Sequence, residues 1–418
     1  MLTLTKRLPK LLTPEQIFMA SAFVVNGGNY AYNLILGRVL GPAAFADAAI
    51  LITMLLVLSF VAMTFQLAVA KFTAGFEPAA RQIFIASALR YATAAGIGLG
   101  VLCVLSASAL QQLFNTASPT MFVIFGLAIP LYFVMSVNRG NLQGNQLFVK
   151  LSVTYQLEML VRLVLTFSLL LFFKVEASYA VSIAIGISFI AGMFPYKKNT
   201  GTSVSQTEIP PEQYRQILKF FALTATYELT QIICNNSDIL LVKHYFEAYD
   251  AGLYASLALI GRVVYFVTWM FVMILLPKVV QLRKEGQNPL PVLKNYLGYI
   301  GLLSLSITAF TFLFPGFSVR LLFGSAYLAV SPLLGWYALA TSLFALSNVF
   351  AYYFLSLDHY KPVALAGIFG VVQVLLIVFF HGSLLEVVIA QVIAMGLLLG
   401  AQLTYFVLHT LKLKKTSS

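Results

Sequence analysis

Runs of roughly twenty apolar residues recur along this chain, and that length of helix crosses the hydrocarbon core of a bilayer. The runs fall at about 17–40, 45–69, 82–107, 119–138, 151–173 and 177–196, then at 217–242, 252–276, 290–315, 328–356, 362–380 and 384–409. Backbone in lipid must satisfy its own hydrogen bonds, so the runs read as helices and the fold class as all-α and integral to a membrane. Composition agrees: of 418 residues, 60% are hydrophobic and 10% charged, with a mean hydropathy of +0.90. The first run follows Lys6, Arg7 and Lys10 but is interrupted by Asn26, Asn29 and Asn33. Being long and lacking a small-residue cleavage site, it reads as a retained span.

Basic residues test the count of twelve, because cytoplasmic loops carry the excess of Lys and Arg. With both termini cytoplasmic, inner loops and inner helix ends hold twenty of the 26 Lys and Arg, among them Lys71, Arg81, Arg90, Arg139, Lys278 and Lys361. The outer side holds Arg38, Lys174, Lys243 and Arg320, while Arg162 and Arg262 lie within spans. One span more or fewer would scramble this alternation. The net charge of +12 therefore reads as topology bias and attraction to anionic headgroups, with no nucleic-acid partner.

The longest weakly hydrophobic stretch divides the chain into an N-terminal lobe (1–196), a cytoplasmic linker (197–216) and a C-terminal lobe (217–418), with six spans per lobe. Both lobes then start on the same side, so an internal repeat is parallel. Residues 33–46 overlay 238–252 with one gap, pairing Asn33 with Asp238 and Arg38 with Lys243 at a shift of 205; Lys71 and Lys278 follow at 207. Two six-helix lobes facing each other across a cavity are expected. Ala92, Gly96 and Gly100, and also Gly396 and Gly400, recur every four residues and predict close helix packing. Cys103 and Cys234 lie in apolar runs, and His244, His359, His381 and His409 lack ligand spacing, so neither a disulfide framework nor a metal site is expected.

Polar groups at membrane depth carry the functional reading. A charged side chain there costs about 2.5–3.5 kcal/mol on insertion scales. Glu158 and Arg162, four residues apart, share a helix face and can pair, either to fix packing or to line a transport path. Arg90 either snorkels to the inner interface or reaches the cavity. Arg262 lies deeper, where its guanidinium suits a phosphate or a pairing with Glu228. If Arg262 contacts ligand, Arg262→Ala should fold and insert normally yet lower transport. Glu228 is that partner or, with Asp238, Gln373 and Gln391, a candidate for ion coupling. Asn26, Asn29 and Asn33 line one side of the first span, facing a wet cavity or neighbouring helices.

Three motifs carry a resemblance: L-G-R-V-L-G-P-A-A-F at 36–45, R-G-N-L-Q-G at 139–144 and Q-L-E-M-L-V-R at 156–162. R-G-N-L-Q-G itself reads as a tight cytoplasmic turn, with Arg139 at the headgroups and Gly140 and Gly144 relaxing the backbone. Together with twelve spans, these resemble the polysaccharide and lipid-linked-oligosaccharide flippases of the multidrug/oligosaccharidyl-lipid/polysaccharide exporter superfamily. The resemblance implies alternating access. A cationic cavity would open first to the cytoplasm and then outward, carrying the diphosphate and sugars of an undecaprenyl-linked unit while its tail stays in the bilayer. It also implies that Arg162 and Arg262 meet the diphosphate, with Arg38 and Lys243 near the outer exit.

A glycan polymerase or ligase would need a sizeable outer loop, and those at 111–119 and 243–250 are too short. A cation-coupled multidrug antiporter of the same superfamily would carry more acidic groups in the first half than Glu158 alone. No G-K-[S/T] loop is present, so ATP is not the direct energy source and no cofactor is expected, leaving H⁺ or Na⁺ as coupling candidates. The expectation is a monomer in the bacterial inner membrane. Its partners would be membrane lipids, the lipid-linked oligosaccharide and a glycan polymerase or other assembly proteins.

Overall fold

In the computed structural model, residues 13–196, 211–265, 285–357 and 359–416 are described, together with 275, 278, 279, 282 and 283. Lys6, Arg7, Lys10, Lys197, Lys198, Lys284, linker residues 197–210 and most of the span expected at 252–276 beyond Tyr265 lie outside the described residues. The described elements are helical, with no strand among them.

The chain opens with α1, Pro14–Gly75, capped by Thr13, whose hydroxyl accepts from the Gln16 backbone while its own N–H donates to the Gln16 side chain. Sixty-two residues of unbroken helix would run about 90 Å, far beyond the hydrocarbon core. Gly41 divides it: φ 74° and ψ 171° are non-helical, and Pro42 lacks the N–H that would carry the helix through. The rods on either side cover the apolar runs at 17–40 and 45–69. Then come α2 (Pro78–Leu105), α3 (Ala107–Phe114), α4 (Thr120–Gly144), α5 (Phe148–Leu171), α6 (Ala177–Gly192), α7 (Pro211–Tyr245) and α8 (Ala248–Gly261). The last group is α9 (Leu290–Leu313), α10 (Pro315–Leu322), a 3-10 helix (Ser325–Leu333), α11 (Leu334–Ser356), α12 (Lys361–Phe379) and α13 (Leu384–Thr416). Among the described residues nine helices are long and apolar enough to cross a membrane, counting α1 once, and α6 is a shorter apolar helix. The chain is a multi-pass membrane protein.

Packing divides the molecule into two compact units, one of Met1–Asn33, Leu58–Gln112 and Ala117–Ala225, the other of Leu34–Val57, Leu113–Thr116 and Thr226–Ser418. The division falls inside α7, and it joins the residues around the α1 break to the second unit.

In the first unit α2 packs on α4, and α6 on both α4 and α5. Gly96 and Gly100 allow the expected close approach, since a Cβ on them would meet the Pro130 backbone at 2.9 Å and the Gly126 carbonyl at 2.6 Å. The motif R-G-N-L-Q-G departs from expectation: it is not a turn but the last helical turns of α4. Its glycines are packing surfaces, because a Cβ on Gly140 or Gly144 would stand 2.5 Å from the carbonyls of Gln66 or Ala70.

In the second unit α11 packs against α8, α9, α12 and α13. Its Val349, Phe350 and Phe354 form a core with Leu293 and Ile300 of α9. Gly396 and Gly400 provide no close approach: Leu343 comes only to 3.9 Å of the first, and nothing lies within 4 Å of the second. The stretch around the α1 break is tied in by a Lys243–Asp47 ion pair at 2.8 Å and by Tyr327 Oη donating to the Gly37 carbonyl at 2.7 Å. Arg38 donates to the carbonyls of Arg320, Leu321 and Leu322, capping the C-terminal end of α10. The short helices α3 and α10 both have eight residues and begin at 107 and 315, a shift of 208 that agrees with the 205 and 207 read from sequence.

Candidate functional site

The spacing of Glu158 and Arg162 places both on one face of α5, where the first polar cluster forms. Glu158 is shared. Its Oε1 lies 3.5 Å from Arg162 Nη1, but its Oε2 lies 2.8 Å from Arg139 Nη2, a partner supplied by α4. Arg139 is 4% exposed, donates to Thr154 Oγ1 at 3.1 Å and to the Thr154 carbonyl at 3.0 Å, and lies 3.9 Å over the Tyr155 ring. This corrects its assignment to the headgroup surface. Helix α4 runs past the apolar segment and carries Arg139 in beneath α5. The signal in the sequence was a basic residue at the edge of an apolar run, shortly before the next apolar run, which carries a carboxylate.

Arg162 is the more open arginine, its side chain 11% exposed. Its Nη2 donates to Asn29 Oδ1 at 2.5 Å, and its guanidinium lies 5.8 Å from the Tyr32 ring centre. Tyr32 is fixed by Thr166 at 3.1 Å. Of the three asparagines of α1, Asn29 thus joins the cluster. Asn33 donates back to the Asn29 carbonyl of its own helix at 2.8 Å, and Asn26 is exposed. Arg90 is exposed on α2, outside the cluster.

The second cluster lies within the second unit. Arg262, 8% exposed at the end of α8, donates to Asp238 Oδ1 at 2.8 Å, to Tyr337 Oη at 3.1 Å and to Asn236 Oδ1 at 3.4 Å. The other oxygen of Asp238 accepts from Tyr337 at 2.7 Å and Tyr254 at 3.1 Å. Asp238 is thus the partner of Arg262, and the pairing expected with Glu228 is not formed. Ten positions of α7 separate the two carboxylates, about 15 Å of helix, so one guanidinium cannot serve both. Asp238 is 1% exposed, and Arg262→Ala would strand its charge, contrary to the benign variant expected from sequence. Gln391 donates to Tyr254 Oη, and Gln373 reaches Ser237 Oγ at 3.2 Å and the Cys234 carbonyl at 3.4 Å. Arg262, Asn235, Thr341, Gln373 and Gln391 line a small cleft among these groups.

The clusters differ in charge. Arg139, Glu158 and Arg162 sum to one uncompensated positive charge, whereas Arg262 and Asp238 sum to zero. No cluster of three His, Cys, Asp or Glu suited to a metal occurs among the described residues.

No curated protein matches the chain by sequence. Among solved structures, the fold is similar to the lipid II flippase MurJ in an inward closed conformation, at 16% identity and a TM-score of 0.72, covering 93% of this chain and 87% of that one. It is also similar to an outward-facing multidrug resistance transporter of the MATE family within the MOP superfamily, at 13% identity and a TM-score of 0.65, covering 96% and 94%. A MOP superfamily transporter from Pyrococcus furiosus shares the fold at 13% identity and a TM-score of 0.56, covering 94% and 93%. Residues 35–332 match the family of polysaccharide biosynthesis proteins, and the chain belongs to that family, built on the fold of MOP superfamily transporters.

Proposed function

We propose that this chain is an alternating-access transporter and not an enzyme. It flips an undecaprenyl-diphosphate-linked oligosaccharide, the repeat unit of an O-antigen, capsule or exopolysaccharide, from the cytoplasmic to the outer leaflet of the inner membrane. The observation that carries the reading is the uncompensated positive charge of the Arg139–Glu158–Arg162 cluster, inside the helices of a member of a polysaccharide biosynthesis family. Charge at membrane depth is retained where it has work to do, and a guanidinium pairs its donors with phosphate oxygens. Arg162 contacts the diphosphate on this reading. Asn29, with Asn26 and Asn33 along the same helix, meets sugar hydroxyls. Arg90 remains an inner-interface anchor.

The reading keeps twelve spans in two six-helix lobes, both termini cytoplasmic, and a monomer working among membrane lipids and glycan-assembly proteins. Among the ion-coupling candidates, Glu228 takes the H⁺ or Na⁺, because both oxygens of Asp238 are engaged. Gln373 and Gln391 steady the surrounding helices.

A cation-coupled multidrug antiporter is the second reading, favoured by the fold shared with the MATE transporter. Against it, the first unit's deep carboxylate, Glu158, is engaged by two arginines. Deleting the gene separates the two readings. The flippase reading predicts loss of a surface polysaccharide, with its lipid-linked precursor accumulating on the cytoplasmic face. Unchanged surface glycan with altered drug sensitivity would reject it for the antiporter.

A further inference from the structure

We infer that Arg139 is a positioning residue that keeps Arg162 available to an anion: by holding Glu158, it stops that carboxylate from neutralising Arg162. The inference rests on the proposed reading that Arg162 receives a phosphate or diphosphate group.

The geometry divides the carboxylate unequally. Arg139 meets Oε2 at 2.8 Å, a charge-assisted hydrogen bond, whereas Arg162 stands 3.5 Å from Oε1, at the outer limit of bonding. Arg139 is clamped by Thr154 and by the Tyr155 ring, and Tyr155 Oη accepts from Gln66 Nε2 at 2.9 Å. Gly192 closes the other side, where a Cβ would come within 3.2 Å of Arg139 Nη2 and 3.1 Å of Glu158 Cβ. Arg139 is therefore sealed from ligand. Arg162 instead spends its best hydrogen bond on the neutral oxygen of Asn29, which an anionic oxygen can replace with gain. Without Arg139, Glu158 would be left with Arg162 alone, and the site would fall from one positive charge to none.

The test is binding of a polyprenyl diphosphate to the purified full chain in phosphatidylcholine nanodiscs, with inorganic pyrophosphate and phosphatidylglycerol as separate competitors. Arg139→Gln should weaken binding roughly tenfold or more. Glu158→Gln, which raises the cluster charge, should tighten it. The double variant Arg139→Gln with Glu158→Gln removes opposite charges together and should recover binding to within about threefold of wild type. A purely structural Arg139–Glu158 pair would also recover in the double variant, but it would have Glu158→Gln weaken binding; a Glu158→Gln that binds no more tightly than wild type, a double variant as weak as Arg139→Gln, or an Arg139→Gln that binds normally therefore overturns the inference. If Arg139→Gln fails to fold, Arg139→Lys decides: it keeps the charge and should bind within severalfold of wild type, and loss of binding overturns the proposal. Wild type that binds no phosphate-bearing probe would reject the transport reading and this inference together. If it binds only pyrophosphate or phosphatidylglycerol, and the variants keep the stated order, Arg139 retains its role and only the lipid-linked substrate falls.

Discussion

Arg162 and Arg262 are both arginines in apolar segments beside a carboxylate, yet their surroundings are opposite. Arg262 is one member of a closed set: it donates to Asp238, Tyr337 and Asn236, the two tyrosines Tyr337 and Tyr254 donate to Asp238, and the charges cancel. Arg162 is the surplus member of an open set, with Glu158 already held by Arg139 and a neutral asparagine as its nearest partner. A cation at membrane depth is thus no evidence of a ligand site by itself. The count of charges around it, and whether its carboxylate is already saturated, separates a packing pair from a recognition group.

The comparison breaks first at Arg262. Removing it should leave the Asp238 carboxylate buried and unpaired, costing about 3–5 kcal/mol and showing as lost yield and a lowered melting transition. Arg262→Gln combined with Asp238→Asn should recover most of that loss, because no charge is stranded. A single Arg262→Ala variant as stable as wild type would contradict the closed set. Next, Gly140→Leu should destabilise by about 1–3 kcal/mol through collision with Gln66 and Val69, read from the same transition; an unchanged transition would return R-G-N-L-Q-G to a loop. Arg162→Ala should lower the melting point less than Arg262→Ala does, because Glu158 keeps Arg139 as its partner at 2.8 Å and no charge is stranded, while abolishing accumulation of surface glycan. Smallest is Arg90→Ala, exposed on α2, expected to change stability by no more than about 0.5 kcal/mol and transport not detectably. A transport defect there would enlarge the open set beyond the first cluster.

What was legible from sequence follows the physics that sequence records directly. A bilayer imposes a length on apolar segments, so the described helices fall where the runs are. The i, i+4 spacing put Glu158 beside Arg162 before any fold was known, and Asp238, Gln373 and Gln391 stood out as polar groups in apolar runs. Arg139 was misplaced because glycines permit both a turn and a close helix crossing. Only the carbonyls of Gln66 and Ala70 pressed against Gly140 and Gly144 decide for the crossing. Arg262 was matched with Glu228 because the register of α8 against α7 is tertiary. Ten residues along α7, Asp238 offered the same chemistry and two tyrosines besides. The tie between the α1 break and the second unit, through Lys243–Asp47 and the Arg38 cap, was likewise invisible: it joins residues nearly two hundred or more positions apart.

The most direct test compares binding of a polyprenyl-diphosphate-linked glycan by wild type, by Arg162→Gln and by the neutral pair Arg262→Gln with Asp238→Asn, in matched nanodiscs. The account predicts saturable binding by wild type, loss of roughly tenfold or more for Arg162→Gln, and near-wild-type affinity for the neutral pair. Retained affinity in Arg162→Gln, with affinity lost from the neutral pair, would place recognition in the second cluster and contradict the account.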